Sequence, residues 1–265
     1  QIKTFSRGGS DVTGSIIARA AEAKLYENWT DVSGCLICDP RIINNPEPIN
    51  TITYAELREL AYMGATVLHE DAIFPVRAAG IPVNIKNTNC PQDKGTMIVS
   101  ETAEPCEHII TGIAGKKGMS VINIEKDKMN SEVGFGRNVL RALEKSNVSF
   151  EHMPSGVDTM SVVIATEALA GKETAIIDEI KSRVHPDQIY IESNLALIAV
   201  VGRGMKSARG TAAILFSALA DARVNIKMID QGSSELNIII GVAEEDFEVA
   251  MKAIYNAFIL SLIHI

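Results

Sequence analysis

The sequence predicts an α/β protein: a unit of alternating helices and strands, followed by two smaller units of the α+β type. Two observations predict this organisation. In residues 1–100, stretches with helical spacing of apolar residues alternate with short apolar runs, which is typical of a mainly parallel sheet covered by helices. Beyond about residue 108 the chain repeats itself, since Val121 aligns with Leu197 and Val162 with Ile238, an offset of 76 in both pairs.

The first unit has several local signals. A helix is predicted over 10–24, where Ile16 and Ile17 lie on one face, and a strand over 35–38. Thr53 and Glu56 form a capping box that opens a second helix, for which Gly64 is the expected stop. A third helix is predicted to end at Gly80. A strand over 81–87 follows it, and Pro82 stands at the start of this strand, where proline is tolerated.

The repeat predicts the same elements twice, in the order strand, helix, strand, strand, helix. The first copy has predicted helices at 133–146 and 174–184, with strands at 149–152 and 159–165. The corresponding elements of the second copy are predicted at 209–222, 246–258, 225–230 and 236–242. Further matching positions are Met129 with Met205, Gly134 with Gly210, Val148 with Val224 and Gly156 with Gly232. Two copies of one supersecondary unit are therefore expected.

Composition limits the class of protein. The chain has 265 residues, 46% of them hydrophobic, which is enough for buried cores in two or more units. A net charge of −8 argues against nucleic acid as the main partner. No secretory signal is found, and no apolar run reaches the roughly 20 residues that span a bilayer. We therefore expect a cytoplasmic protein without a membrane partner.

The cysteines allow two interpretations, a zinc or redox site or free thiols in the buried core. Cys35 and Cys38 have the spacing of a zinc or redox pair, but Cys90 and Cys106 do not form a second pair of matching spacing. Cys35 and Cys38 also lie in an apolar run. We favour buried free thiols in a reducing cytosol, and we expect no metal site.

A glycine turn provides the first candidate site. Gly8 and Gly9 allow backbone N–H groups to approach an anion, and Ser10 and Asp11 open the helix that follows. Arg7 adds a planar cation that suits a carboxylate or a phosphate. The alternative is a plain connection to a capped helix.

Four ordered motifs carry a resemblance that extends over nearly the whole chain. They are Arg7-Gly8-Gly9-Ser10-Asp11, Thr30-Asp31-Val32-Ser33-Gly34, Asp39-Pro40-Arg41 and Val83-Asn84-Ile85-Lys86-Asn87-Thr88. Together they resemble the C-terminal half of the catalytic domain of aspartate kinases, which belong to the amino-acid kinase family and have an α/β sandwich fold. The repeat resembles two ACT domains, ligand-sensing βαββαβ units that this family carries at its C-terminus.

In that family one ACT unit is inserted into the other. The resemblance therefore implies a kinase segment at 1–100, a first ACT domain at 118–194, and a second made of 105–117 and 195–265. Residues 108–114 would then form an outlying strand of the second unit. Upstream motifs of the family, including a Lys-Phe-Gly-Gly start, do not precede Gln1. We therefore expect a fragment that is inactive alone.

The resemblance implies transfer of the γ-phosphoryl group of ATP, supplied with Mg, to the side-chain carboxylate of L-aspartate. Asp11 would organise the catalytic centre, and no residue is assigned as a metal ligand. The implied aspartate-binding residues are Arg7, Gly8, Gly9 and Ser10, and the implied ATP-binding residues are Thr30, Asp31, Arg41, Lys86 and Asn87. Three positions depart from the family pattern. Ser6 stands where the family often has Gly, Ser33 where it often has Asp, and Leu36 where some members have a nucleotide-contacting Tyr.

The first ACT unit is expected to bind an amino-acid effector, most simply L-lysine, at the interface of a homodimer or of a dimer of dimers. The expected effector-binding residues are Met129, Val133, Gly134, Phe135, Phe150, Glu151 and Asp158. The second copy has Lys227 and Ser234 in place of Glu151 and Asp158, so it is expected to lack this site. The alternatives are an amino-acid-sensing ACT protein with a vestigial kinase segment, or a kinase of glutamate or UMP. The tandem ACT repeat weighs against the last.

Overall fold

The computed structural model describes residues 9–65, 73–102 and 108–261. The first unit has a four-stranded sheet in the order β1-β3-β4-β2. Its strands are β1 (Tyr26–Thr30), β2 (Thr51–Thr53), β3 (Val83–Asn87) and β4 (Thr96–Val99). The pairs β1–β3 and β2–β4 are parallel, whereas β3–β4 is antiparallel. The predicted α/β class is confirmed, with one antiparallel pairing inside the sheet.

The helices of this unit are α1 (Gly9–Ala20), α2 (Tyr54–Tyr62) and α3 (Phe74–Ala78). The predicted capping box is confirmed, because Thr53 and Glu56 exchange side-chain and backbone hydrogen bonds. Helix α1 ends four residues before the predicted boundary at 24. Glu22 adopts a left-handed φ of 50°, and the N–H of Ala23 bonds the carbonyl of Ala18 at 2.9 Å, which closes the helix.

Two predicted strands are wrong. Residues 35–38 form only an isolated bridge, between Leu36 and Pro48, because a proline has no N–H with which to continue a ladder. Residues 149–152 likewise form no regular strand. The segment contacts its neighbour through isolated bridges, one of which joins His152 to Val163, and Pro154 follows two residues later.

The second part of the chain has one five-stranded antiparallel sheet in the order β6-β5-β7-β9-β8. The strands are β5 (Gly112–Glu125), β6 (Thr159–Ala165), β7 (Gln188–Val201), β8 (Ile226–Asp230) and β9 (Asn237–Ala243). Strands β5 and β7 have 14 residues each and run through both repeat copies. Residues 112–116 pair with 197–201, so the predicted outlying strand exists, although it begins at Gly112.

The repeat is confirmed in the helices. Helices α4 (Phe135–Lys145) and α7 (Thr211–Asp221) coincide under the offset of 76, and the preceding Gly134 and Gly210 have matching φ values of 86° and 89°. The remaining helices are α5 (Thr166–Leu169), α6 (Glu173–Val184) and α8 (Phe247–Tyr255). Helix α8 continues as a π-helical turn, Asn256–Leu260. Short 3-10 turns occupy Met129–Ser131, Arg203–Lys206 and Glu244–Asp246.

The buried apolar residues form two clusters. One lies between the first copy's half of the sheet and helices α4 and α6. The other is shared by the four-stranded unit and the second copy, and it extends to Phe258 and Ile259 near the end of the chain. The second copy is therefore packed against the first unit through a common core. Residues 262–265 of the apolar tail lie outside the described residues.

Candidate functional site

The glycine turn leads directly into α1. Gly9 and Ser10 are exposed in the first turn, and Asp11 beside them is half-buried. The Ser10 hydroxyl lies 3.5 Å from Oδ1 of Asp11, and the Thr13 hydroxyl donates to the Gly9 carbonyl at 2.8 Å. Arg7 and Gly8 lie outside the described residues.

Residues expected at the nucleotide meet at one edge of the first sheet. Because β1 and β3 are parallel and in register, Thr30 lies opposite Asn87 and Trp29 lies opposite Lys86. The N–H of Thr88 bonds the Thr30 carbonyl at 2.8 Å, which holds the two strand ends together. This edge therefore brings Thr30, Lys86 and Asn87 together, and Asp31 follows at the end of β1.

Lys86 and Asn87 have partners within the protein. The Lys86 ammonium donates to the backbone carbonyl of Asp93 and lies 5.6 Å from the centre of the Trp29 ring. The Asn87 amide is buried and donates to the Ser33 hydroxyl at 2.9 Å. Ser33 in turn donates to Asp93 at 2.6 Å. Asn87 thus joins the loops that follow β1 and β3, a role that the strand-end pattern did not reveal.

Arg41 lies at a different place. Its guanidinium makes a bidentate pair with Asp39, with a shortest contact of 2.6 Å, and this pair lowers the pKa of Asp39. The side chain is 86% exposed. Both residues line a cleft of about 640 Å³ between the first unit and the second copy of the repeat, whose walls include Leu60, Phe247 and Met251. An ATP contact by Arg41 stays a prediction.

Asn28 was not identified from the sequence. It lies in the middle of β1, only 7% exposed, and its amide donates to Oδ1 of Asp11 at 3.2 Å. The signal available beforehand was a polar residue at a buried strand position. That signal does not identify the partner of the side chain, because Asp11 reaches Asn28 only when α1 packs over β1.

The residues expected to bind an effector lie around the first turn of α4. Met129 is buried in a 3-10 turn, and Gly134 provides the left-handed step into the helix. Val133 is fully exposed, whereas Phe135 is buried beneath the Lys126 ammonium, 5.8 Å from its ring centre. This surface combines an exposed apolar residue with backbone N–H groups at a helix start.

Two carboxylates of this set differ in their surroundings. Glu151 accepts hydrogen bonds from Tyr62 at 2.5 Å and from Lys116 at 2.7 Å. Asp158 instead accepts a hydrogen bond from the backbone N–H of Lys128 at 2.8 Å. Phe150, beside Glu151, is 41% exposed. The first copy of the repeat thus has its two carboxylates in place, each with a partner in the protein.

The second copy differs at the equivalent positions. Lys227 pairs with Glu192 at 2.9 Å, and Ser234 accepts a weak hydrogen bond from the N–H of Leu236 at 3.4 Å. The two copies are therefore alike in backbone and different in charge.

The thiols of Cys35 and Cys38 are packed in the core. Cys35 and Cys38 are buried and free, as predicted, and burial raises their pKa values to about 12 and about 11. In the part of the chain that the structure describes, no group of three or more His, Cys, Asp and Glu could hold a metal ion. Within the same residues, no helix is long and apolar enough to cross a membrane.

Comparison with known proteins agrees with the fold. Residues 1–87 match the amino acid kinase family, and residues 198–258 match the ACT domain. Aspartokinase 3 of Bacillus subtilis is 44% identical over 256 residues, covering 96% of this chain and 56% of the relative. The crystal structure of Clostridium acetobutylicum aspartate kinase, described as an allosteric enzyme, has a TM-score of 0.92 and 61% identity and covers 97% of this chain and 60% of that one.

A third relative has been solved in two states. Escherichia coli aspartokinase III with aspartate and ADP has a TM-score of 0.78 and 27% identity and covers 96% of this chain and 57% of that one. The same enzyme with lysine and aspartate has a TM-score of 0.76. The fold and its site thus define an amino acid kinase segment joined to ACT domains. Over nearly its whole length the chain is similar to aspartokinases, and it spans little more than half the length of these relatives.

Proposed function

We propose that the chain is the regulatory part and the second half of the catalytic domain of an aspartate kinase. The enzyme would transfer the γ-phosphoryl group of ATP to the side-chain carboxylate of L-aspartate, giving 4-phospho-L-aspartate. The observation that carries this proposal is the common edge of β1 and β3, with Thr30, Asp31, Lys86 and Asn87 beside the start of α1. The likeness of the chain to an aspartokinase solved with aspartate and ADP supports the same proposal.

The assigned roles follow from the charges of the substrates. Both aspartate and ATP are anions, so cations and N–H groups have to hold them together against their repulsion. Arg7, with Gly8, Gly9 and Ser10, would hold the aspartate, and Asp11 would organise the centre. Thr30, Asp31, Lys86, Asn87 and Arg41 would contact ATP. Mg²⁺ would enter with ATP and neutralise its phosphates, and we assign no protein ligand to it.

A coupled assay of ATP consumption tests the activity. The natural full-length protein should consume ATP in a manner that depends on L-aspartate, and glutamate should not replace it. Arg7→Ala should raise KM for aspartate more than KM for ATP, because a charge-assisted pair worth about 1.5–3 kcal/mol is lost. Asp11→Asn should mainly lower kcat. ATP consumption that is indifferent to aspartate would refute the proposal.

We further propose that L-lysine binds the first ACT copy at Met129, Val133, Gly134, Phe135, Phe150, Glu151 and Asp158. Glu151 already binds one ammonium group, that of Lys116, so the site suits a cationic amino acid. The lysine-bound state solved for the Escherichia coli relative supports this assignment. Calorimetry with lysine, threonine and methionine should detect lysine binding that Glu151→Gln abolishes. Binding that is indifferent to Glu151 would refute the assignment.

The domain limits and the assembly belong to this proposal as well. The ACT domains would comprise 118–194, and 105–117 with 195–265, after a kinase segment at 1–100. Strand β8 lies at the edge of the five-stranded sheet and exposes half of Ile229, so a second copy could extend the sheet there. Light scattering should therefore find a homodimer or a dimer of dimers, and a monomer at all concentrations would refute this part.

A further inference from the structure

Asn28 is a polar side chain at a position that the strand pattern assigns to the core. It is 7% exposed in the centre of β1, while Glu27 and Trp29 on either side are exposed. A buried amide costs free energy unless its hydrogen-bonding groups find partners. The Asn28 amide therefore needs hydrogen-bond partners within the protein.

Both hydrogens of the Asn28 amide nitrogen are used. One is donated to Oδ1 of Asp11 at 3.2 Å, and the other to the hydroxyl oxygen of Tyr26 at 3.1 Å. Since a carboxylate only accepts hydrogen bonds, the amide has to present its nitrogen to Asp11. Among the residues that the structure describes, Oδ1 of Asp11 is held by Asn28 and Oδ2 accepts no hydrogen bond.

Gly14 explains how the Tyr26 hydroxyl reaches this point. A Cβ atom at Gly14 would lie 2.6 Å from the Tyr26 hydroxyl oxygen and 3.1 Å from its ring, so only glycine leaves room for the ring against α1. Burial raises the pKa of Tyr26, opposed by the hydrogen bond from Asn28 and aided by the charge of Asp11. The hydroxyl therefore keeps its proton, which points toward the Asp11 carbonyl at 3.5 Å.

We infer that Asn28 is a positioning residue of the kinase site, which fixes one oxygen of the Asp11 carboxylate and leaves the other for the substrates. This inference rests on the proposed function. Tyr26 and Gly14 complete the arrangement, because the Tyr26 hydroxyl accepts the second hydrogen of the Asn28 amide and Gly14 leaves room for the Tyr26 ring. Asn28 itself is not assigned any contact with a substrate.

Steady-state kinetics of the full-length protein test the inference. Asn28→Leu keeps the number and branching of the side-chain heavy atoms and removes the donor, so Asp11 loses its fixed orientation. We expect kcat to fall roughly tenfold to a hundredfold, the range that misplaced catalytic groups produce, while KM for aspartate and for ATP changes less than about twofold. The matched control is Asn84→Leu on the neighbouring strand, whose amide donates to Lys94 at 3.3 Å and should leave kcat unchanged.

Tyr26→Phe provides a second test in case Asn28→Leu does not fold. It removes only the hydroxyl that supports Asn28, so we expect a smaller loss of kcat, about twofold to fivefold, again without a change in KM. A folded Asn28→Leu protein with wild-type kcat, or one that loses only substrate affinity, would overturn the inference. If Asn28→Leu does not fold, a wild-type kcat for Tyr26→Phe would overturn the inference. A wild-type protein without aspartate-dependent activity would instead overturn the proposed function, and the inference with it.

Discussion

The hydroxyl of Tyr62 donates a 2.5 Å hydrogen bond to Oε2 of Glu151, so the last turn of α2 is joined directly to the first ACT copy. Lys116 donates to the same oxygen at 2.7 Å, and its ammonium lies 4.3 Å from the centre of the Tyr62 ring. Burial opposes ionisation of Glu151, but the hydrogen bonds from Lys116 and Tyr62 lower its pKa. Burial and the Glu151 carboxylate together raise the pKa of Tyr62 to about 12.

Helix α2 repeats such contacts along one side. Glu56 bonds Thr111 and the backbone of Arg203, and Glu59 accepts a hydrogen bond from Asn237 at 2.6 Å. Glu56, Glu59 and Tyr62 are spaced by three residues, so they lie on one face. This helix of the kinase segment is therefore bound to both ACT copies by its polar side chains.

We expect Tyr62→Phe to tighten lysine binding by roughly threefold to tenfold. If lysine takes the Glu151 carboxylate, it has to displace the Tyr62 hydroxyl, and the removal of this competing bond is worth about 1 kcal/mol. Calorimetry on the full-length protein measures the affinity. Tyr190→Phe is the matched control, since Tyr190 is exposed and its hydroxyl bonds no described residue. An unchanged affinity for Tyr62→Phe would show that lysine does not use Glu151.

Glu56→Gln should lower the free energy of unfolding by about 3 kcal/mol. The carboxylate is completely buried and faces the guanidinium of Arg203 at 3.1 Å, so the amide leaves this cation without its counter-charge. Urea unfolding of the 265-residue chain measures the change. Glu59→Gln, one turn further on α2, keeps an oxygen that can accept from Asn237 and should cost less than about 1 kcal/mol. Equal losses from the two variants would contradict the distinction.

The stability that Glu56 contributes should depend on pH. Burial acts to raise the pKa of Glu56, but hydrogen bonds from Thr111, Thr53 and Arg203 lower it below the usual 4.5. The folded chain therefore binds fewer protons here than the unfolded chain. The stability that Glu56 contributes is complete above its pKa in the unfolded chain, and it is lost as the pH falls through its pKa in the folded chain. Between about pH 5 and pH 3 the wild type should lose more stability than Glu56→Gln, and parallel curves would contradict this.

Two glycine substitutions should have opposite effects on unfolding. A Cβ at Gly202 would lie 2.6 Å from Cα of Ile110 and 2.7 Å from the backbone nitrogen of Thr111, so Gly202→Ala should destabilise by about 1–3 kcal/mol. Gly136 lies in α4, where an added Cβ meets only the end of Met160 at 3.6 Å. Gly136→Ala should stabilise by about 0.5 kcal/mol, because it restricts the unfolded chain. Thermal unfolding of both variants should show shifts of opposite sign.

Alkylation should distinguish the cysteines. Cys35 and Cys38 are buried with raised pKa values, whereas Cys90 is partly exposed. Iodoacetamide at pH 8 should therefore modify Cys90 before Cys35 and Cys38, because the thiolate is the nucleophile. Mass spectrometry of the peptides measures the rates, and urea should make all three reactive. Modification of Cys35 or Cys38 at the rate of Cys90 in the folded protein would contradict their assignment as inert core thiols.

Local signals predicted the elements that local interactions form. The capping box at Thr53 acts within a few residues, and it was found where the sequence indicated. The helix predicted over 133–146 was also found, but it begins two residues later, at Phe135, because Gly134 has a left-handed backbone. The strands over 35–38 and 149–152 were wrong, because strand pairing depends on a distant partner and a proline stands in each neighbourhood. Asn28 and the partners of Glu56 were not predicted for the same reason: their hydrogen bonds join segments that only the fold brings together.

Strands β5 and β7, which pass through both ACT copies, limit how this protein can be taken apart. No single cut in the chain releases one copy, because the two copies are joined at two points, one within β5 and one within β7. An engineered exchange of one effector domain for that of a relative would therefore need two junctions, one in each strand. The register shifts near Lys116 and Met119, where the ladder is already irregular, are the natural places for them.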